Sequence, residues 1–276
     1  MNPHAQPPTS LFGLARSLWR NRYLALQLAQ RDVIGRYRGS VMGLAWSFFH
    51  PLIMLTIYTF VFSVVFKTKW GVGNESGQAA FAVILFVGMV VHGLFAEVLN
   101  RAPTLILQNT NYVKRVIFPL EILPLTSLIS ALFHTLISLA VLLLAIIVLH
   151  GQLHWTALLL PVVLLPLIVF SLGVAWFLAA VGVYVRDVGQ VMGVLATVLL
   201  FVSPVFFPLS AIPPTFQKFI MLNPLTFIIE QSRAVLLYGQ LPDALGLGIY
   251  FMVSVLVMWM GFAGFQKMRK GFGDVL

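Results

Sequence analysis

The chain has 276 residues, 60% of them hydrophobic and 9% charged, with 17 Lys and Arg against 8 Asp and Glu and a net charge of +9. A water-soluble domain carries roughly 25% charged residues, which excludes that class, and the basic residues lie between apolar runs, where positive-inside orientation and anionic head groups explain them better than nucleic acid does. With no cysteine, there is no disulfide, thiolate metal site or cysteine nucleophile.

Residues 1–10 read as a polar, Pro-rich tail without the charged start and apolar core of a signal peptide. Insertion through the chain's own helices, with the N-terminus inside, is expected. Ser10 can cap a helix in which Leu11, Leu14, Ala15, Leu18 and Trp19 recur at helical spacing, continued by Tyr23 and Leu26. Arg16, Arg20 and Arg22 interrupt that stripe. The pattern predicts an amphipathic helix lying in the interface plane, so that 1–40 form a cytoplasmic tail and interface helix and 41–276 the transmembrane domain. Arg31, Asp32, Arg36 and Arg38 then run directly into an apolar stretch that opens at Val41 and holds no Asp, Glu, Lys or Arg until Lys67.

Six spans are predicted, at 41–66, 79–100, 120–149, 155–185, 188–208 and 244–266, each long enough for a hydrocarbon core of roughly 30 Å at 1.5 Å per residue. Pro161 and Pro166 predict a kink in the fourth. Placing the N-terminus inside puts the six arginines before Val41, with Arg101, Lys114, Arg115, Arg186, Lys267, Arg269 and Lys270, on the inner face. Lys67, Lys69, Lys218 and Arg233 fall outside. The bias and the even span count predict both termini in the cytoplasm. Between the fifth and sixth spans, Pro204, Pro208, Pro213, Pro214 and Pro224 break the chain into short pieces. One helix is expected from Pro213 or Pro214 to near Leu222, and another, capped by Asn223, from Pro224 to Gly239. Because irregular backbone at membrane depth needs protein or a watery cavity around it, these pieces read as re-entrant helices on the outer, periplasmic face. The fold class is therefore an all-α integral membrane protein.

Groups that could carry chemistry are few. GxxxxGK[ST] is absent, as is a GxGxxG after a strand, so the chain has no phosphate-cradling loop of its own. His150 and His154 flank Gly151 at a helix end and read as a turn, and no histidine pair has metal-ligand spacing. Glu97 is the one acid well inside a span, and Arg101 four residues on offers it an ion pair, the reading preferred over a proton relay. Glu230 and Arg233 read the same way. The inner loop 109–124 starts with amides and carries Lys114 and Arg115 before Pro119. It suits either a short helix that docks into a partner or a positively charged topogenic loop. Rings crowd the first and fifth spans (Trp46, Phe48, Phe49, Tyr58, Phe60, Phe62 and Phe66, then Phe201, Phe206 and Phe207), either packing against lipid and core or lining a conduit on which sugar faces could stack.

The stretches RDVIGRYRGSVMGLAWSFFHPL, YVKRVIFPLEILPL, YVRDVGQVMGV, SPVFFPLSAIP and NPLTFIIEQSRAVLLYG occur in an order and spacing that resemble the permease subunit of ABC-2-type polysaccharide exporters, the group that handles O-antigen, some capsules and teichoic acid. The resemblance runs from about Leu18 to the C-terminus. It implies a homodimer working with two copies of a separate ATPase, which would bind ATP and Mg, with no cofactor in this chain. It implies a location in the bacterial inner membrane and a substrate on a lipid carrier, most simply O-antigen on undecaprenyl pyrophosphate. A capsular polymer, teichoic acid, or a small lipid or drug is the alternative. On this resemblance the region 109–118, with Asn111, Tyr112, Lys114, Arg115 and Phe118, would couple to the ATPase. The 204–241 segment would gate the outer mouth. Arg36 and Arg38 would take the lipid pyrophosphate, and Trp46, Phe48, Phe49, Tyr58, Phe201 and Phe206 would line the channel. Membrane lipids complete the expected partners, and nucleic acid is not among them.

Overall fold

A computed structural model describes residues 10–61, 78–113, 118–209 and 212–276. Among them every regular element is helical. Five helices are long and apolar enough to cross a membrane, at Gly43–Val61, Phe81–Gln108, Ile122–Leu149, Trp155–Tyr184 and Ala244–Val275. Each overlaps an expected span.

The N-terminal stripe does not form one helix. It splits into α1 (Leu11–Arg20) and α2 (Arg22–Tyr37). Ser10 caps α1 by accepting from Gly13 N, as its position predicts. At the other end the Asn21 side chain turns back to donate to Ser17 O at 2.9 Å, satisfying a terminal carbonyl and ending the helix. The first span opens with a 3₁₀ turn, Gly43–Ala45, and continues as α3 (Trp46–Tyr58), with Pro51 in its interior.

The second span, α4 (Gln78–Arg101), is the central post. Of its apolar stretch 78% is buried, against 17% for the first span, so α4 is surrounded while α3 leaves most of its surface uncovered. A 3₁₀ turn, Ala102–Thr104, leads to α5 (Leu105–Gln108) and α6 (Thr110–Val113). Then come α7 (Ile122–His150), closed by Gly151 in the left-handed conformation at φ 72°, and α8 (Leu160–Tyr184). Pro161 sits in the first turn of α8 and Pro166 inside it.

The last span, α12 (Ala244–Met268), makes the most extensive helix contact of the fold, against α8. Glycines permit it. A Cβ on Gly261 would run into the backbone of Gly173, and one on Gly173 into the backbone at Met258. A Cβ on Gly182 would meet the backbone of Pro103. Close backbone approach of this kind is how helices gain dispersion contact in a lipid solvent that offers no hydrophobic drive. The chain ends in a 3₁₀ turn and α13 (Phe272–Val275), pinned by the Tyr184 hydroxyl donating to Met268 O at 2.7 Å.

The expected fifth span is shorter than its apolar run. α9 (Val188–Val202) stops before Pro204, and its 15 residues rise about 22 Å. His92 of α4 contacts Ala196 O at 2.9 Å and ties α9 to the post. After α9 come α10 (Pro214–Met221) and α11 (Pro224–Leu236). Asn223 caps α11 as expected, accepting from Leu225 N. The helix ends at Leu236, earlier than Gly239, which carries a φ of +63° against the His154 ring. Arg233 of α11 is 1% exposed and reaches carbonyls of Ile84 and Val205, so it is a packed residue and not a loop cation.

Candidate functional site

Near the Arg101 end of α4, α2 and α4 each carry one acid and one base a helical turn apart, in the same order along the chain. Asp32 precedes Arg36, and Glu97 precedes Arg101. An antiparallel approach therefore sets each charge against its opposite. Arg101 Nη2 donates to both oxygens of Asp32 at 2.6 Å, and Arg36 Nη2 donates to Glu97 Oε1 at 2.5 Å. Charge-assisted bonds of this length are the strong ones. Glu97 also lies 3.6 Å from Arg101, so the expected one-turn pair exists, but as the longer of two contacts.

His134 of α7 completes the group. Its Nδ1 is 3.1 Å from Arg36 Nη1 and 3.3 Å from Glu97 Oε1. In the neutral ring Nδ1 either accepts from Arg36 or donates to Glu97, one at a time. Beside it, burial raises the pKa of the Tyr37 hydroxyl above that of a free phenol, against the opposing pull of Arg36. The phenol therefore stays protonated at neutral pH.

These groups form the polar end of a cavity of about 500 Å³ between α3, α4 and α7. Trp46, Met54 and Tyr58 of α3 face Phe86, Met89 and Leu94 of α4 across it. The result is a charged end joined to an apolar, ring-bearing wall. A second recess of about 500 Å³ shares Arg36 and is lined by Asp32, Arg101, Asn109 and Tyr112. The charge ladder thus stands between the cavity and the segment after α4.

The structure brings together some of the expected site residues and separates others. Arg36, Trp46 and Tyr58 share the main cavity. Arg38 lies in a neighbouring recess with Gln27, Gln30, Arg31, Ile34 and Gly35. Phe48 and Phe49 pack edge-to-face on each other at 6.0 Å and are left uncovered. Phe201, in the last turn of α9, stacks at 5.6 Å on Phe206, which lies beyond the helix end. Asn111 lies in α6 with its side chain exposed. Tyr112 stacks on Phe118 with centroids 4.2 Å apart and planes 8° from parallel. Lys114 and Arg115 lie outside the described residues. The amide of Asn109 caps backwards, donating to Leu105 O at 2.8 Å.

Sequence reasoning missed two groups. His134 is one; its signal was a ring polar enough to need a partner in an otherwise apolar helix. The other is Glu121, in the FP-E--P pattern formed by Phe118, Pro119, Glu121 and Pro124 within YVKRVIFPLEILPL. Its buried carboxylate accepts from Ser17 of α1 at 2.9 Å and from Arg269 at 2.8 Å. Arg269 also holds Phe118 O at 3.1 Å, and the Trp176 indole donates to Glu121 O at 2.9 Å. One residue thus ties α1, α8 and the C-terminal turn to the Phe118 stack. Glu121→Ala is expected to cost about 2 kcal/mol, less than a fully buried pair because Arg269 is 27% exposed. A thermal unfolding midpoint equal to that of the unmutated protein would refute this. Among the described residues, no three His, Asp or Glu come together as a metal site.

Residues 23–237 match the family described as ABC-2 type transporter. The chain is 30% identical over 264 residues to the O-antigen export system permease protein RfbA of Myxococcus xanthus, covering 95% of this chain and 98% of that one. It is 22% identical over 255 residues to a protein of the same name from Klebsiella pneumoniae, covering 92% and 95%. It is 26% identical over 247 residues to the polysialic acid transport protein KpsM of Escherichia coli, covering 87% and 91%. These matches extend across both the charge ladder and the α10–α11 segment, and this multi-pass membrane chain belongs to the ABC-2 type transporter family.

Proposed function

We propose that this chain is the transmembrane permease subunit of an ABC transporter exporting a lipid-linked polysaccharide, with O-antigen on undecaprenyl pyrophosphate as the substrate. The observation that carries this reading is the near end-to-end similarity to the Myxococcus xanthus export permease. A capsular polymer is the second reading, favoured by the 26% identity to the polysialic acid transport protein.

In this reading α9 supplies the fifth of six crossings, its about 22 Å extended by the irregular residues that follow. α10 and α11 re-enter from the periplasmic face, and α11 packs against α4 and α8. Both termini lie in the cytoplasm and the protein sits in the inner membrane. Two copies pair through surfaces such as the uncovered side of α3, and two copies of a separate ATPase bind ATP and Mg. The region 109–118, stacked through Tyr112 and Phe118, passes the ATPase motion to the charge ladder. Arg36, with Arg38 alongside, takes the diphosphate, since a guanidinium fork fits phosphate oxygens. Trp46, Phe48, Phe49 and Tyr58, with Phe201 and Phe206, offer ring faces to the sugars.

Cells lacking the protein are expected to keep lipid-linked polymer on the cytoplasmic leaflet while still synthesising it. Leaflet-selective labelling of the polymer checks this. Normal surface polymer in such cells overturns the reading.

A further inference from the structure

The charge ladder offers Glu97 two arginines, and only one of them, Arg36, donates a hydrogen bond to it. Glu97 Oε1 rests on Arg36 at 2.5 Å. Arg101 Nη1 lies 3.6 Å from the same oxygen, is buried, and has no hydrogen-bond partner among the described residues. Asp32 holds the other amino group of Arg101 through both its oxygens, so Arg101 keeps its place whether or not Glu97 moves. A carboxylate shift of about 1 Å would bring Nη1 within hydrogen-bond range and release Arg36 into the cavity.

We propose that Glu97 is an exchangeable occupant of the Arg36 fork: an entering diphosphate group takes Arg36, and Glu97 moves onto Arg101. This rests on the reading of Arg36 as the diphosphate site and adds the group that holds the site when it is empty. The chemistry is like for like, because carboxylate and phosphate oxygens satisfy the same pair of guanidinium N–H donors. Without ligand, Arg36 and Arg101 balance Glu97 and Asp32, and no charge stands unpaired at a partly desolvated position. Arg31 and Arg38, in the recesses beside Arg36, supply the positive excess that a diphosphate requires. His134, with Nδ1 3.1 Å from Arg36, stands where a phosphate oxygen on Arg36 could accept its proton. The exchange also draws negative charge toward the recess lined by Asn109 and Tyr112, which gives the site a way to signal that it is filled.

The test is a titration of the full chain in lipid nanodiscs with geranylgeranyl diphosphate and, separately, inorganic pyrophosphate. Glu97→Gln is expected to bind about tenfold more tightly than the unmutated protein, a change of one decade in Kd. Arg101→Gln removes the second seat, so it is expected to bind several-fold more weakly, on the order of half a decade. Glu97→Gln with Arg101→Gln is expected to fall below Glu97→Gln by less than Arg101→Gln falls below the unmutated protein, because Asp32 loses Arg101 in both backgrounds and only the Glu97 share differs. Tightening toward both probes supports exchange at the diphosphate itself. Tightening toward geranylgeranyl diphosphate alone supports exchange at a lipid head group. The proposal is overturned if Glu97→Gln binds no more tightly, or if Arg101→Gln weakens binding equally in both backgrounds, a pattern of general damage. In either case Arg36→Gln separates the two ideas. If it weakens binding, the Arg36 reading stands without the exchange; if it leaves binding unchanged, both fall.

Discussion

A leucine at position 261 is expected to drive the last span away from α8 and leave little folded protein. The Cβ that any side chain adds at Gly261 meets the carbonyl oxygen, carbonyl carbon and Cα of Gly173, all of them backbone atoms that cannot rotate aside. Overpacking against mobile side chains typically costs 1–3 kcal/mol, and here the helices themselves must part, so more than about 3 kcal/mol is expected. Trp176 is fully buried near this contact, edge-to-face on Phe262 at 5.3 Å, and its indole is the donor to Glu121 O. Separating α8 from α12 therefore also loosens the tie at the FP-E--P motif. Gly264 is the internal control. A Cβ there meets only the terminal methyl of Met268 at 3.9 Å. Alanine in a helix is favoured over glycine by about 1 kcal/mol, so Gly264→Ala should be neutral or stabilising. Gly261→Ala should be destabilising despite the same propensity gain. Unfolding midpoints of the purified variants decide it, and equal midpoints for the two alanine variants would sink the close-contact account.

Long apolar runs made the spans legible, because length and hydropathy act within one segment. Asn223 ahead of Pro224, Ser10 ahead of Leu11 and Gly151 after His150 marked helix ends by equally local chemistry. The division between α1 and α2 was not legible. The stripe from Leu11 to Leu26 is continuous, and the break depends on one Asn21 side chain choosing Ser17 O. The end of α9 was over-read because hydropathy continues past Val202 while Pro204 stops the helix.

The charge ladder was half legible. Glu97 and Arg101 are four residues apart and were bound to meet, but the shortest bonds join residues 61 and 69 positions apart, Arg36 to Glu97 and Arg101 to Asp32. No local rule ranks those above the one-turn pair. The same limit applied to the rings. Trp46 and Tyr58 face the cavity while Phe48 and Phe49 do not, and that depends on the rotation of α3 about its axis.

Arg233→Ala is expected to be the most damaging single truncation on the opposite side of the bundle. The guanidinium is 1% exposed and spends each nitrogen on a different element. Nη1 holds Glu230 at 2.8 Å, Nη2 holds Val205 O at 3.1 Å, and Nε reaches Ile84 O at 3.3 Å. It therefore fastens α11 to the post helix and to the irregular chain after α9. Gly88 makes the room, since a Cβ there would stand 3.3 Å from Nη2 and 3.2 Å from Val205 Cα. Truncation strands a buried carbonyl and leaves a void, while the Glu230 carboxylate left behind is 34% exposed and adds little, a loss of about 3 kcal/mol. Lysine is a poor substitute, because a single ammonium cannot span three divergent acceptors as a planar fork does. Arg233→Lys is thus expected to recover less than half of the lost stability, a fraction set by one acceptor satisfied out of three. Gly88→Val should mimic the defect from the other side by pushing the guanidinium out of its slot. If Arg233→Ala unfolds at the midpoint of the unmutated protein and surface polymer is normal in cells carrying it, the guanidinium is not what holds α11 in place. If Arg233→Ala and Gly88→Val fail together and their double variant is no worse than either, one shared contact accounts for both.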